Sequence, residues 1–390
     1  MLLANLDQIT AEYLQSICTD SYPETSTLEF KLTLPAPVDK HELMKDICAL
    51  ANADGGDLVY GVAEADGAAS KVIPLDGTAI DGTKRRILQT IDNIEPRIHG
   101  VQVHPVEVDG GVVIVARVPA SFDGPHSYRV GEARRFVMRN GTLTTDMSSD
   151  QIRTAFDRTA SLAERARQFI YSRMRAAAER KTWKPIIDGP VCVAMIVPIA
   201  GFAGRSSVDI GALNNGYSQY MHTDWGGVSR TMNIDGLAVY PNALRNGQAP
   251  AFTQVYRNGP VEAVRYGGRL VDDKPVIPAG TIVQFYRDAL TKGLKGMQLM
   301  SFSGPAIVQF ALMTVGEHQL PADLFSAHGI EDSARRDLIL PDTWIDELSE
   351  IKTDEQIDAL LLPAMDVLWQ AFDFERCFEF SLAGRFAPNR

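Results

Sequence analysis

Cysteine is scarce in this chain, and its four residues, Cys18, Cys48, Cys192 and Cys377, never stand at CxxC spacing. That pattern excludes a zinc ribbon or a redox dithiol and fits small core residues in a reducing compartment. Basic charge is also short: 38 Lys and Arg face 49 Asp and Glu, for a net charge of −11. Such a balance argues against a binder that relies on overall positive charge. It leaves room for a local basic patch, because screening confines strong interactions to about 10 Å. No run of about 18 apolar residues occurs, so no membrane span is expected. The opening MLLANLDQITAEYLQSI carries Asp7 and Glu12 and has neither a basic n-region nor a small-residue cleavage site, so a cytoplasmic protein without a signal peptide is expected. No phosphate loop is present, since neither Gly55-Gly56 nor Gly110-Gly111 leads into a Lys-Ser/Thr pair. A GxSxG elbow and an HExxH helix are absent too. The histidines, His41, His99, His104, His126, His222, His318 and His328, are scattered, with no pair at metal-ligand spacing.

What is present is the material of a globular protein. The 390 residues, 45% hydrophobic and 22% charged, suffice for two or three domains with sizeable cores. Residues 4–17 have helical spacing at Leu6, Ile9, Tyr13, Leu14 and Ile17. Leu28, Phe30, Leu32 and Leu34 then alternate with Glu29 and Lys31, the period of a half-buried strand. A helix over 38–52, with Leu43, Ile47 and Leu50 on one side, ends at Asn52-Ala53-Asp54-Gly55-Gly56, where glycine can take a left-handed cap. Asp57–Val62 reads as a buried strand and 82–94 as a helix. Val101–Val108 and Val112–Val118 form a hairpin around Asp109-Gly110-Gly111. Phe136–Gly141 closes this region as a strand and turn.

From Ser148 the pattern is helical to about Arg180, with a break near Ser161. Arg165, Arg167, Arg173, Arg175 and Arg180 make its second half basic, either as a solvated face or as a phosphate contact. Residues 186–316 look β-rich, with Thr281–Tyr286 among the strand candidates. Leu320 to about Phe372 looks mostly helical. The expected class is α+β: a mixed α/β domain over 1–160, a basic helical linker over 161–184, a β-rich domain over 185–318 and a mostly helical C-terminal region over 319–390.

Chemistry concentrates between Glu24 and Glu64. Glu24 precedes the first strand, Glu29 lies on it, and Glu64 follows the Asp57–Val62 strand. If the two strands are neighbours, the carboxylates at their ends can converge, a set that suits a hard divalent cation, or they are ordinary surface acids. Lys31 shares a strand face with Glu29 and could offset charge on a phosphate. Lys84, Arg85, Arg86, Arg134, Arg135 and Arg139 are candidate nucleic-acid contacts, the first three at the opening of a helix, where cations oppose the macrodipole.

These segments carry a resemblance. Glu24-Thr-Ser-Thr-Leu-Glu29-Phe-Lys31, then Ala49-Leu-Ala-Asn52-Ala-Asp-Gly55-Gly56 and Asp57-Leu-Val-Tyr-Gly61-Val62, resemble the signature of the Schlafen AlbA family. Arg134–Gly141 and the helix from Ser148 are similar to its closing portion. The resemblance spans about residues 10–160. It implies an AlbA-type domain that handles nucleic acid, RNA ahead of DNA. In some relatives an acidic triad cleaves RNA such as tRNA with metal ions. On that basis Glu24, Glu29 and Glu64 would be catalytic ligands of Mg²⁺ or Mn²⁺, with Lys31 supporting the transition state. The third position is usually aspartate in relatives. Glu64 reaches about one methylene further, and Asp66 is a substitute. The resemblance implies an endoribonuclease, with a role in anti-phage defence or as a toxin, and a homodimer that completes an RNA groove. Two alternatives stand beside it: a non-catalytic DNA- or RNA-binding transcriptional regulator, and a sensor or scaffold acting through its C-terminal half.

Overall fold

The alternation around Glu29 folds into strand β1 (Leu28–Lys31) of a computed structural model that describes residues 2–3, 6–204, 208–216, 227–242, 244, 246–321, 327–329 and 336–387. The chain divides into two compact units, Met1–Ser161 and Leu162–Arg390.

In the first unit a short 3-10 turn over Leu6–Gln8 precedes helix α1 (Ala11–Thr19). The single helix expected over 4–17 is interrupted because the Thr10 side chain caps α1, accepting the Tyr13 N–H. After β1 come helix α2 (Lys40–Ala51), β2 (Gly56–Tyr60), the hairpin β3 (Val62–Ala65) and β4 (Ala68–Val72), helix α3 (Ile80–Ile91), β5 (Gln102–Val108) and β6 (Gly111–Val118). β7 (Ser127–Val130), β8 (Ala133–Asn140) and β9 (Leu143–Asp146) form a separate three-stranded sheet, and helix α4 (Ser149–Ala178) follows. The central sheet runs β1-β2-β6-β5, with β1 and β2 parallel and the other pairs antiparallel. Because side chains alternate across a strand, this sheet has two apolar faces. Leu28, Phe30, Val59, Val113 and Val115 pack with α1. Leu58, Tyr60, Val112, Ile114 and Ala116 pack with Ile47 and Leu50 of α2 and Ile87 and Ile91 of α3. Ile47 and Leu50 are fully buried, each contributing about 1.5–3 kcal/mol relative to exposure.

Two junctions depend on backbone approach. A Cβ on Gly55 would lie 2.5 Å from the Ala120 nitrogen, and one on Gly56 2.5 Å from the Thr27 carbonyl oxygen. Both glycines have positive φ, so the pair lets α2 turn directly into β2 beside β1.

The second unit is built on an antiparallel sheet in the order β11-β12-β13-β14-β10-β17. Its elements are β10 (Val191–Pro198), α5 (Ile210–Gly216), β11 (Val228–Met232), β12 (Gly236–Pro241), β13 (Ala251–Tyr256), β14 (Val261–Tyr266), the small hairpin β15 (Arg269–Val271) and β16 (Lys274–Val276), α6 (Ala279–Leu299) and β17 (Ala306–Met313). α6 packs on β10. Short strands β18 (Leu320–Pro321) and β19 (Ala327–His328) pair together, while β20 (Leu338–Ile339) and β21 (Thr343–Ile345) pair with β17. Helix α7 (Asp354–Gln370) packs on α6.

Several expectations change here. Thr281–Tyr286 is helical, not a strand. Its β-branched and aromatic residues suit a strand locally, but Ile282, Val283, Tyr286, Ala289, Leu290 and Leu294 bury one face of α6. The mostly helical reading of 319–390 holds only for α7, since the stretch before it adds strands to the free edge of β17, where backbone groups need partners. Parts of that stretch, 322–326 and 330–335, lie outside the described residues, as does His222. α4 runs unbroken through Ser161, and Ser148 caps it, its Oγ accepting the Gln151 N–H at 3.2 Å. Among the described residues no helix is long and apolar enough to cross a membrane.

A candidate nucleic-acid site on the N-terminal unit

Alternation on β1 sends Leu28 and Phe30 to one face and Glu29 and Lys31 to the other, toward α2. Glu29 is buried, 8% exposed, rather than solvent-facing. Its Oε1 lies 2.6 Å from the Lys31 ammonium, and its Oε2 accepts from Arg139 Nη1 on β8. Lys31 also stands 3.9 Å from Asp46, a buried acid on α2. Burial pushes the Asp46 carboxyl up to about 6, with Glu29 adding to the effect and Lys31 opposing it. Burial works against the Lys31 charge, but Asp46 and Glu29 outweigh it and hold the ammonium above its ordinary value.

Arg139 is itself buried, and its Nε and Nη2 have no hydrogen-bond partner among the described residues. The Tyr60 hydroxyl, fully buried at the end of β2, is likewise without a partner. Burial and then the charges of Asp46 and Glu29 drive that phenol far up, against Arg86. Buried donors left unsatisfied cost about 1–3 kcal/mol each, so this polar pocket is unsaturated at a price the fold carries.

The other expected acids border the network. Glu24 Oε1 accepts the Phe30 N–H at 2.7 Å. Burial, then Glu64 and Glu29, push the Glu24 carboxyl up, against that N–H and Arg139. Glu64 is exposed on β3, its Oε1 accepting the Gly67 N–H at 3.0 Å in the β3–β4 turn, and the Gly67 carbonyl accepts the Glu24 N–H. Asp66 is exposed at the tip of that turn. The triad residues are neighbours without forming a ligand set. Both Glu29 oxygens face cations, and Glu24 and Glu64 each give one oxygen to a backbone N–H. Among the described residues no group of three His, Cys, Asp or Glu side chains is placed to hold a metal ion.

The basic candidates separate into two groups. Arg134 pairs with Glu95 at 2.5 Å and donates to Ser127 Oγ, Arg135 pairs with Asp146 at 2.5 Å, and Arg139 is the buried partner of Glu29. Lys84, Arg85 and Arg86 have no acidic partner among the described residues. They do not open their helix: a 3-10 turn capped by Asp76, which accepts the Thr78 N–H, leads into α3 at Ile80. They lie in its interior, where the macrodipole argument does not apply.

Two motif residues outside the predicted site prove to be fixtures of the domain. Asn52 Nδ2 donates to the His126 and Val137 carbonyls while its Oδ1 accepts the His126 N–H, tying the end of α2 to β7 and β8. Asp57, fully buried on β2, takes Arg117 Nε at 2.7 Å and Nη2 at 3.0 Å, and accepts the Leu2 N–H. The basic stretch of α4 is engaged inside the second unit: Arg167 pairs with Asp342, Arg173 with buried Glu262, and Arg175 with Glu179.

No curated protein matches the chain. The solution structure of the N-terminal domain of a RecG-related protein from Nitrosomonas europaea is 21% identical, covering 37% of this chain and 92% of that one, with a TM-score of 0.27. A protein from Corynebacterium diphtheriae is 20% identical, covering 32% of this chain and 25% of that one, with a TM-score of 0.21. The Schlafen AlbA_2 family model matches residues 24–148, a span that starts at Glu24 and contains Glu29, Asn52, Gly55-Gly56 and Arg139. The N-terminal unit of this chain carries a Schlafen AlbA_2 domain.

Proposed function

We propose that the N-terminal unit binds nucleic acid, with RNA the favoured form. The observation that carries this is the row Lys84-Arg85-Arg86 on α3, within the matched domain and without acidic partners among the described residues. In a chain of net charge −11, affinity for a polyanion has to come from such local cations. Arg139 is taken up by buried Glu29, and Arg134 and Arg135 are paired at the surface with Glu95 and Asp146. Changing Lys84, Arg85 and Arg86 together to Glu should weaken binding of a labelled RNA and flatten its salt dependence. An unchanged slope removes α3 from the interface.

A second reading is hydrolysis of a phosphodiester in structured RNA such as tRNA, in anti-phage defence or as a toxin. It is favoured by the shared backbone contacts of the three acids: Glu24 accepts the N–H of Phe30, next to Glu29, and both Glu24 and Glu64 bond the backbone of Gly67. Mg²⁺ or Mn²⁺ at Glu29 would compete with Lys31 and Arg139 for the same oxygens. Cleavage of labelled total tRNA in Mn²⁺ that disappears in Glu29→Ala supports hydrolysis. Binding without cleavage in either protein sinks it and leaves a binding protein, as a regulator would be. A homodimer belongs to this second reading, and a monomer in light scattering at micromolar concentration removes it.

A further inference from the structure

Between the start of α2 and the second half of α3 lies a cavity of about 230 Å³. Its walls include Pro35 and Pro37 before α2, Lys40 in the first turn of α2, and Arg86, Gln89 and Asn93 on and after α3. Among the described residues no carboxylate lines it. Acids outnumber bases along the unit, so an acid-free cavity with two cations is unusual in its setting. Lys40 and Arg86 have no ion-pair partner among the described residues. The Asn93 amide nitrogen donates to the Gln89 and Thr90 carbonyls, which leaves its Oδ1 to accept from a ligand. Leu43, which lines the cavity, belongs to the same core cluster as the buried Tyr60 at the end of β2.

We propose that this cavity is a subsite for one phosphate and its sugar in a nucleic-acid strand that lies along the network. The inference rests on the nucleic-acid reading above and specifies where one unit of the strand sits. Lys40 and Arg86 would face the phosphate, the proline rings the sugar, and Gln89 and Asn93 its hydroxyls. Size argues for a strand unit over a free nucleoside triphosphate, because pockets that engulf a whole small ligand span about 300–1,000 Å³.

The test is fluorescence anisotropy of the full chain with a labelled single-stranded RNA of about 15 nucleotides, titrated across salt. Lys40→Ala with Arg86→Ala should lower affinity about fivefold at about 0.1 M salt and make the log–log salt slope shallower by about 0.7, the signature of one lost phosphate contact. Gln89→Glu, an exposed change that puts a carboxylate into the cavity wall, should weaken binding in the same direction with an unchanged melting temperature. Lys71→Ala, exposed on β4, is the control and should bind as the wild type does. Wild-type affinity and slope in both cavity variants overturn the subsite while the binding reading stands. An equal loss in Lys71→Ala overturns it too, because the effect is then one of overall charge. No RNA binding by the wild type overturns both readings. Uridine monophosphate binding as tightly as the RNA, lost in the double variant, would make the cavity a free-nucleotide site and overturn the strand assignment.

Discussion

Two buried carboxylate–arginine pairs in the N-terminal unit are built to opposite ends. Asp57 and Arg117 meet through two hydrogen bonds, the Leu2 N–H adds a third to the carboxylate, and Arg117 Nη2 also reaches the Leu3 carbonyl at 2.7 Å. That pair closes a seam between β2, β6 and the N-terminal segment. Glu29 and Arg139 form the other pair, and it is unsaturated. Glu29 is shared with Lys31, and among the described residues Arg139 Nε and Nη2 and the Tyr60 hydroxyl nearby have no partner. A saturated buried pair stabilises by geometry, whereas a partly satisfied one leaves donors for a ligand or an ordered water. The difference separates a fixture of the fold from a candidate site, though both rest on the same kinds of residue.

The largest expected effect breaks the closed pair. Arg117→Met leaves the Asp57 carboxylate buried and unpaired, and should cost about 3–5 kcal/mol in urea unfolding. Arg139→Met should cost distinctly less, because Glu29 keeps Lys31. Equal losses would erase the contrast between the two pairs. Next comes Gly56→Ala, which drives a Cβ into the Thr27 carbonyl and strains a positive φ, at a cost of about 2–3 kcal/mol. Because Gly56 sets how β2 approaches β1, it should loosen both pairs at once; hydrogen exchange confined to one of them would contradict that.

The smallest effect is a pH dependence. Asp46 is pushed up to about 6, so its protonated form is favoured in the folded state. Its stabilising contribution is complete below the ordinary aspartate value and is lost as pH rises through about 6. His126 works in the opposite sense: burial pushes it down to about 4, so its contribution is present above the ordinary histidine value and is lost as pH falls through about 4. Asp46→Asn should therefore gain on the wild type by about 1–2 kcal/mol between pH 4 and 7, and should expose the acid-side loss from His126. Parallel curves for variant and wild type would mean that Asp46 is not titrating in the unsaturated network.

Much of the N-terminal unit was legible because its cues are local. Glu29 and Lys31 sit on one face of β1 as the alternation required, and the Gly55-Gly56 pair marks a junction that only glycine can make. The bases were harder to sort. Arg134, Arg135 and Arg139 look like a surface patch in one dimension, yet each finds an acid: Arg135 on the neighbouring strand, Arg134 39 residues away and Arg139 110 residues away. Asp46 carries no sequence signal, because an acid in an amphipathic helix reads as solvated, yet it is buried on α2. α6 was misread at Thr281–Tyr286 because strand propensity in a short window says nothing of the apolar face it joins over 21 residues.

By itself the sequence determined the strand–helix–strand order of β1, α2 and β2, the family resemblance of the N-terminal domain and the place of Glu24, Glu29 and Glu64 around those strands. All of these follow from periodicity, turn chemistry and short motifs, which act over a few residues. That β1 and β2 pair, and pair in parallel, came from the fold. Only the tertiary structure decided which charges are engaged and which are open. Pairing over long separations in the chain is set by packing, and the same arginine can be a buried strut at Arg139 or an unpaired cation at Arg86.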